Sequence, residues 1–232
     1  MKSIILLKKL FFLLIIFVQA KHSLAQDLLI IDKVKMHKKL VYVDSNHNMM
    51  ELKKIIPTLV YDLKYATKDN FTKEVLYNNG TKTFLRLPVA RALQQVQAEL
   101  TKKGYGLKIW DAYRPYSVTQ KMWDLIKDER YVANPANGSG HNRGLSVDLT
   151  LIDLKTGKEL DMGTGFDHFT DTAHHNFKNL SATVLANRIL LKQTMENYGF
   201  RALDTEWWHY SWPNTRCYEV LNLDFNKLNR IQ

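Results

Sequence analysis

The chain has 232 residues, of which 45% are hydrophobic and 24% are charged, with 10 glycines and 5 prolines. This composition is typical of a globular protein with a sizeable core, and it excludes disordered and fibrous classes. Basic residues exceed acidic ones by 10, but they do not cluster with interleaved aromatic residues, which argues against a nucleic-acid partner. The single cysteine, Cys217, excludes an internal disulfide and has no second cysteine or nearby histidine, so we expect a half-buried small apolar residue there. Nothing in the sequence indicates an oligomeric state.

Residues 1–25 have the order of features found in a secretory signal. Three lysines precede the apolar run Leu10–Val18, and the small residues Ser23 and Ala25 follow it. We therefore expect export to the periplasm or the medium, with a single domain over residues 26–232. The run is shorter than the about 20 apolar residues of a membrane span, so we expect no stable span after cleavage; the alternative is an uncleaved anchor. The segment holds four lysines and no acid, so its removal lowers the net charge from +10 to +6.

The first half of the mature chain contains one clear helix. Residues 27–50 are lysine-rich, and we interpret them as an irregular extension. Alternation of apolar and polar residues in Thr58–Tyr65 predicts a strand, and Asn78–Gly80 predicts a turn. From Pro88 to Lys103 apolar residues recur at helical spacing, with proline at the first turn and Gly104 after the last. The residues of this apolar face are Val89, Leu93, Val96 and Leu100.

The second half alternates strands and helices irregularly. Leu107–Trp110 and Leu145–Leu151 have strand character, whereas Tyr116–Arg130 and Ala182–Tyr198 have helical periodicity. Between them, Asn134–Gly140 contains one proline and two glycines and must be a loop. This order of elements predicts a single α+β domain with a small central, mainly antiparallel sheet and flanking helices.

Two of the histidine contexts suggest metal chemistry. His141 and Asp148 lie seven residues apart across a glycine turn, and Glu206 precedes His209 by three residues in an aromatic stretch. Two imidazoles and a carboxylate with a spare carboxylate are the inventory of a catalytic zinc site that keeps an open position. Each motif alone is weak, because a lone histidine near a glycine-rich loop is more commonly structural or at the surface.

An arginine at the end of an apolar strand offers a second kind of chemistry. The segment Trp110–Pro115 places Arg114 directly before a proline. A fixed guanidinium there could stabilise an oxyanion or hold a substrate carboxylate. The alternative is a purely structural ion pair between Arg114 and Asp111.

Together these motifs resemble the VanX-type D-alanyl-D-alanine dipeptidases, relatives of the zinc D,D-carboxypeptidases. The similarity runs in order through the mature chain from Tyr61 to Tyr210. The matching segments are Lys64–Thr72, Trp110–Pro115, Ser139–Leu151, Met162–Asp167, His174–His175, Met195–Phe200 and Glu206–Tyr210.

The resemblance implies one zinc ion per chain, bound by His141, Asp148 and His209. It also implies that Glu206 is the catalytic general base and acid and that Arg114 stabilises the transition state. In a regular strand, positions three apart face opposite sides. We therefore expect a local irregularity that lets Glu206 reach the site beside His209.

Four other residues are assigned places around the expected site, and a fifth differs from the family. Ser139 is implied to lie near the substrate carboxylate, and Asp167 to order the rim of the site without a catalytic role. We interpret His174 and His175 as a pair at the surface or behind the ligands. Ser146 replaces a smaller residue expected two positions before the metal-binding aspartate, a change that should still fit.

The implied reaction is hydrolysis of the D-alanyl-D-alanine dipeptide or another peptidoglycan-derived peptide in cell-wall turnover. One alternative is a zinc D,D-carboxypeptidase or endopeptidase that acts on longer stem peptides. The loop Asn134–Gly138 is longer than in the family and borders the expected site. A longer loop could change which peptides enter, so the expected selectivity for dipeptides depends on this loop. A non-catalytic zinc-stabilised binding module is a second alternative, but a structural zinc site needs neither Glu206 nor Arg114. A structural protein of the envelope is favoured only by the lysine-rich residues 27–50.

Overall fold

The structure, a computed structural model, describes residues 28–77 and 82–231. The predicted signal at residues 1–25 and the predicted turn Asn78–Gly80 lie outside the described residues. Within the two described ranges, no helix combines the length and the apolar character needed to cross a membrane.

The described residues form nine strands and seven helices, with strands and helices mixed along the chain as expected for an α+β domain. The strands are β1 (Ile30–Ile31), β2 (Met49–Glu51), β3 (Val60–Tyr61), β4 (Phe84–Arg86), β5 (Tyr105–Asp111), β6 (Ser146–Asp153), β7 (Arg201–Leu203), β8 (Glu206–Ser211) and β9 (Val220–Leu221). The helices are α1 (Val34–Val43), α2 (Leu52–Ile55), α3 (Leu87–Lys102), α4 (Tyr116–Leu125), α5 (Gly140–Arg143), α6 (Ala182–Asn197) and α7 (Phe225–Asn229).

A five-stranded sheet in the order β3-β5-β6-β8-β7 lies at the centre of the fold. Only β3 and β5 run parallel, and the other neighbours are antiparallel. The prediction of a mainly antiparallel central sheet is therefore confirmed. Two small sheets accompany it, in which β1 pairs with β9 and β2 pairs with β4.

Helices α3 and α6 cover one face of the central sheet. The apolar face predicted for α3 is completely buried against β5, and each such side chain contributes roughly 1.5–3 kcal/mol to stability. Helix α6 packs against α3 and against β6, β7 and β8. Val147, Leu149 and Leu151 of β6 join this core. Because side chains alternate along a strand, Asp148 on β6 points to the opposite face, where the candidate site lies.

The prediction of an irregular extension at residues 27–50 is wrong. This segment forms β1, α1 and β2, and Ile31 and Met49 are buried in a second core cluster that also contains side chains of α4 and α7. Helix α1 turns its lysines to solvent and buries only His37 completely. The helix is nonetheless amphipathic, with Val34, His37 and Leu40 on its inner side.

Three further expectations need correction. The strand predicted at Thr58–Tyr65 is reduced to β3, because a 3₁₀ turn begins at Lys64. Helix α4 ends at Leu125 rather than at Arg130, since Ile126 adopts an extended conformation. Cys217 is exposed, not half-buried, and has a φ of 52° in a turn after β8. The predicted loop between α4 and α5 and the predicted helix α6 are confirmed.

Candidate active site

Three potential metal ligands meet on the open face of the central sheet. Antiparallel pairing of β6 and β8 places Asp148 directly opposite His209, so both side chains lie on one face. The Nδ1 atom of His209 is 2.9 Å from Oδ1 of Asp148. The Nε2 atom of His141 is 3.4 Å from Oδ2 of Asp148 and 3.3 Å from Nδ1 of His209. These are the three residues that the sequence predicted as ligands, and the structure brings them together.

The single-turn helix α5 presents His141 to the two strands. Ser139 caps this helix: its Oγ accepts a hydrogen bond from the backbone N–H of Asn142 (3.1 Å), while Oδ1 of Asn142 accepts one from the N–H of Ser139 (3.0 Å). Gly144 ends the helix in the left-handed conformation, with a φ of 69°. Gly140 has no room for a side chain, because a Cβ there would lie 1.9 Å from Oγ of Ser146. The expectation that Ser146 fits is thus met, since a glycine faces it.

In each imidazole, the ring nitrogen that does not face Asp148 has a hydrogen-bond partner outside the ligand group. Nδ1 of His141 lies 2.7 Å from the carbonyl oxygen of Ala112 and must donate to it, which leaves Nε2 as a bare acceptor. Nε2 of His209 lies 2.9 Å from Oγ of Ser211, and Nδ1 of His209 faces Asp148 and His141. Burial lowers the pKa of His209 against the opposing effect of Asp148, which favours the neutral imidazole that a metal ion requires.

The donor set fits a zinc ion. Zinc in proteins prefers tetrahedral nitrogen and oxygen donors at about 2.0–2.1 Å, which places neighbouring donors about 3.3 Å apart. The two facing imidazole nitrogens lie 3.3 Å apart, and each faces a different oxygen of Asp148: Nδ1 of His209 is 2.9 Å from Oδ1, and Nε2 of His141 is 3.4 Å from Oδ2. Three protein ligands leave one tetrahedral position for a water or a substrate atom.

Arg114 lies beside this group and is anchored by Asp111. Its Nε and Nη2 atoms donate to Oδ2 of Asp111 at 2.9 and 2.6 Å. The guanidinium also lies over the ring of Tyr65, 4.8 Å from its centroid, and Nη2 is 3.8 Å from Oδ2 of Asp148. The ion pair considered from the sequence therefore exists, but it does not remove Arg114 from the site, because the same guanidinium borders the ligand group.

The ligand group and Arg114 line a cavity of about 240 Å³. Pockets for drug-sized ligands measure about 300–1,000 Å³, so this cavity suits a smaller molecule. All six residues that the sequence predicted for the site border it. They are His141, Asp148, His209, Glu206, Arg114 and Ser139.

The wall of the cavity contains residues that sequence reasoning did not assign. Tyr65 and Phe71 line it, and both lie in the matching segment Lys64–Thr72, which was the available signal. Tyr131 and Trp208 also line it. No pattern in the sequence identifies Tyr131, because it lies in the irregular stretch after α4.

Glu206 reaches the cavity through the strand irregularity that the sequence led us to expect. Tyr210 of β8 pairs with Ala202 of β7, but the next residue of β7, Leu203, pairs with Glu206. Three residues of β8 therefore have no counterpart in β7, and the resulting bulge changes the direction of the strand. Glu206 and His209 consequently border the same cavity although they are three residues apart.

Two buried carboxyl groups, Asp148 and Glu206, and the half-buried Asp167 share the cavity. Burial raises the pKa of Glu206 well above its ordinary value, and the charges of Asp148 and Asp167 add to this effect while Arg114 opposes it. Burial also disfavours the charged form of Asp148, yet the adjacent imidazoles lower its pKa below the ordinary range. Near neutral pH the metal-free cavity therefore favours a protonated Glu206 beside an ionised Asp148.

Asp167 lies in the cavity wall itself rather than only at its rim. Its φ of 55° is unusual for a residue with a side chain. Both carboxylate oxygens accept from the hydroxyl of Tyr65, at 3.1 and 3.0 Å. Burial, assisted by the charge of Asp148, raises the pKa of Asp167 to about 8.

His174 and His175 are not part of the cavity wall. Nε2 of His174 lies 3.8 Å from a carboxylate oxygen of Asp171 near the surface. The ring of His175 packs against Tyr210 at 6.2 Å, and burial lowers its pKa to about 4. Their interpretation as a pair outside the ligand set is consistent with this placement.

A histidine–aspartate–histidine group beside a separate glutamate and an arginine, all in one cavity of an α+β domain, defines a metallopeptidase type of site. The family model described as D-ala-D-ala dipeptidase matches residues 45–228. The chain belongs to this D-ala-D-ala dipeptidase family.

Two relatives carry the description D-alanyl-D-alanine dipeptidase. A D-alanyl-D-alanine dipeptidase of Escherichia coli is 34% identical over 178 residues, which are 77% of this chain and 91% of that protein. One from Enterococcus faecalis is 37% identical over 174 residues, which are 65% of this chain and 84% of that protein. The solved structure of the LdcB LD-carboxypeptidase is a distant neighbour, with a TM-score of 0.39 and 22% identity over 59% of this chain and 64% of that one.

Proposed function

We propose that the protein hydrolyses the dipeptide D-alanyl-D-alanine to two molecules of D-alanine. One observation carries the proposal: three candidate ligands share a small cavity with Glu206 and Arg114, neither of which belongs to the ligand group. Membership of the dipeptidase family supports the same substrate.

One zinc ion per chain is proposed at His141, Asp148 and His209. The chemistry and spacing of the three donors support zinc, and Ala112 and Ser211 hold the second nitrogens of the imidazoles in orientations that suit ligation. When bound at such a site, zinc lowers the pKa of water toward neutrality and polarises a carbonyl oxygen.

Glu206 moves the protons of the reaction. Its carboxylate accepts a proton from the water that attacks the peptide carbonyl carbon, as the new C–O bond forms. The same carboxyl group returns the proton to the amide nitrogen as the C–N bond breaks, so the second D-alanine leaves with a neutral amine. Arg114 donates hydrogen bonds to the carbonyl oxygen while negative charge develops there.

Ser139 is proposed to bind the substrate carboxylate. Its oxygen already accepts the N–H of Asn142 as the cap of α5. The hydroxyl proton is not used by that bond and can be donated into the cavity that Ser139 lines. Capping and substrate binding are thus compatible functions of one hydroxyl.

We further propose that the protein is exported and acts on cell-wall peptides outside the cytoplasm. The order of lysines, the apolar run Leu10–Val18 and small residues supports this location. Sequencing the N-terminus of the protein from its native host should give a start at or near Gln26. Recovery of exported protein that still begins at Met1 would contradict cleavage.

The substrate is tested with residues 26–232 loaded with zinc and three peptides in parallel. We expect release of D-alanine from D-alanyl-D-alanine, little cleavage of L-alanyl-L-alanine, and less activity on a wall pentapeptide. Preferential cleavage of the pentapeptide would instead establish a carboxypeptidase that acts on longer stems. Full zinc content without hydrolysis of any peptide would leave the binding module as the better description.

A further inference from the structure

A buried tyrosine contacts the ion pair that anchors Arg114, and sequence reasoning gave it no function. The hydroxyl of Tyr77 donates to Oδ1 of Asp111 at 2.6 Å. Asp111 is completely buried, and Tyr77 is buried at 8% exposure. We propose that Tyr77 is a positioning residue that fixes the Asp111 carboxylate and, through it, the Arg114 guanidinium. The kinetic part of this inference rests on the proposed function.

The two oxygens of Asp111 have separate tasks. Oδ2 accepts both hydrogen bonds from Arg114, whereas Oδ1 accepts the hydroxyl of Tyr77 and no other hydrogen bond from residues 28–77 and 82–231. A carboxylate can rotate about its Cβ–Cγ bond and exchange its oxygens between partners. The hydrogen bond to Tyr77 fixes the plane of the carboxylate, so that Oδ2 stays directed at Nε and Nη2 of Arg114.

A competing donor makes this restraint necessary. Nδ1 of His141 lies 3.5 Å from the same Oδ2 atom of Asp111. At present Nδ1 donates to the carbonyl oxygen of Ala112 at 2.7 Å. A carboxylate freed from Tyr77 can turn toward this imidazole, which weakens its hold on Arg114 and disturbs the orientation of His141. The hydrogen bond from Tyr77 thus keeps Asp111 paired with Arg114 and leaves Nδ1 of His141 bonded to Ala112.

Tyr77 is itself rigidly held. Its ring packs against Phe225 at a centroid distance of 4.9 Å and against Tyr65 at 6.4 Å. Burial and the charge of Asp111 raise the pKa of Tyr77 well above its ordinary value, so the hydroxyl remains a donor. The Tyr65 ring packs against the face of the Arg114 guanidinium. Tyr65 therefore restrains the guanidinium directly, and Tyr77 restrains it through Asp111.

Tyr113 provides a matched control for the loss of one buried hydroxyl. Its ring is completely buried and packs on the same Phe225, at 5.6 Å. Within the part of the chain that the structure describes, its hydroxyl bonds to the backbone of Leu223, at 2.7 and 3.0 Å, and not to Asp111. Tyr77→Phe and Tyr113→Phe therefore remove the same group from the same cluster, but only the first frees the carboxylate.

The kinetic comparison uses zinc-loaded protein and D-alanyl-D-alanine. Loss of a partner that orients an active-site group costs about 10–100-fold in activity, so we expect Tyr77→Phe to lower kcat by that factor with KM changed less than about twofold. Zinc content should stay at the parent value. Tyr113→Phe should lower thermal stability but keep the parent kcat. Equal loss of kcat in both variants, or none in Tyr77→Phe, overturns the proposal.

A readout without substrate separates this inference from the proposed function. The Nε–H of Arg114, identified by its absence in Arg114→Lys, is expected to exchange slowly with solvent in the parent protein and in Tyr113→Phe. Tyr77→Phe should accelerate this exchange by at least tenfold, and equal protection in both tyrosine variants refutes the positioning. If the parent protein hydrolyses no dipeptide, the proposed function is wrong, and the exchange comparison still decides how Arg114 is held.

A double-mutant cycle tests whether Tyr77 acts through Asp111. Asp111→Asn removes the charge that anchors Arg114, and Tyr77→Phe in that background should cause little further loss of kcat. Multiplicative losses would show that Tyr77 acts independently of Asp111, which would overturn the proposed route.

Discussion

Replacing Glu206 with glutamine changes one property of the cavity while leaving its shape. Glutamine keeps the length and volume of the side chain but has no basic carboxylate, so it cannot take a proton from water. General acid–base catalysis contributes about 10²–10⁴-fold to rate, and we expect kcat for D-alanyl-D-alanine to fall by at least that factor. His141, Asp148 and His209 are unchanged, so zinc content should remain at one ion per chain.

The same substitution should not destabilise the fold. Burial raises the pKa of Glu206 in the folded protein above its unfolded value. A carboxyl group of this kind opposes folding when the pH exceeds its unfolded pKa, because ionisation is easier in the unfolded chain. A neutral glutamine removes that penalty, so the metal-free variant at pH 7 should melt no lower than the metal-free parent.

The assay compares kcat, zinc content and melting temperature for the parent, Glu206→Gln and a control. Glu129→Gln is the matched control, because Glu129 lines the rim of the cavity but hydrogen-bonds Asn134 instead of facing the ligand group. We expect near-parent activity from this control. A Glu206→Gln protein that holds zinc and cleaves the dipeptide near the parent rate would refute the mechanism and direct the search for the base to Asp167.

Further changes test the ligands, the arginine and a buried ion pair outside the site. His209→Ala should lose stoichiometric zinc together with activity, and chelation of the parent should lower its melting temperature; full zinc in the variant would exclude His209 as a ligand. Arg114→Lys keeps the charge but loses the planar fork, so activity should fall steeply while zinc content stays; unfolding instead would indicate a purely structural arginine. Although burial opposes it, contacts with His37 and Arg86 lower the pKa of Glu219 to about 2. Stability of up to about 3 kcal/mol should therefore be present above pH 4.5 and lost as the pH falls toward 2. Urea unfolding should show this acid dependence weakened in Glu219→Gln.

Long periodic elements could be predicted from the sequence, and very short ones could not. The apolar face of α3 and the alternation of β6 extend over several turns or pairs, so their patterns are unambiguous. Strands of two or three residues, such as β1 and β9, contain no measurable period, and their pairing joins Ile30 to Val220 across most of the chain. Helix α1 does have an inner face at helical spacing, formed by Val34, His37 and Leu40, but it is only ten residues long and lies in a lysine-rich segment, which led to its interpretation as irregular.

The candidate site likewise contains residues that could be predicted from the sequence and contacts that could not. The motifs around His141, Asp148, Glu206 and His209 are weak individually, and the roles of these residues followed from the resemblance of many segments in order along the chain. The need for an irregular strand followed from the spacing of Glu206 and His209. The supporting contacts could not be derived, because they depend on the register between strands and on loop conformation. Tyr77 illustrates this limit: its hydroxyl has a defined task beside Asp111, 34 residues away in the chain, yet nothing in its local sequence distinguishes it from a core tyrosine.

The charges of the cavity explain why metal and fold should be linked. Asp111 pairs with Arg114 across a 2.6 Å contact, and Asp148, Asp167 and Glu206 line the same cavity. Ionising all three carboxyl groups there is unfavourable, so the raised pKa values of Glu206 and Asp167 favour their protonated forms near neutral pH in the metal-free protein. A divalent cation at the ligand group would offset the cost of ionising them only in the folded state, where the ligands from α5, β6 and β8 come together. Metal binding and folding should therefore stabilise each other, beyond the contribution of the coordinate bonds alone.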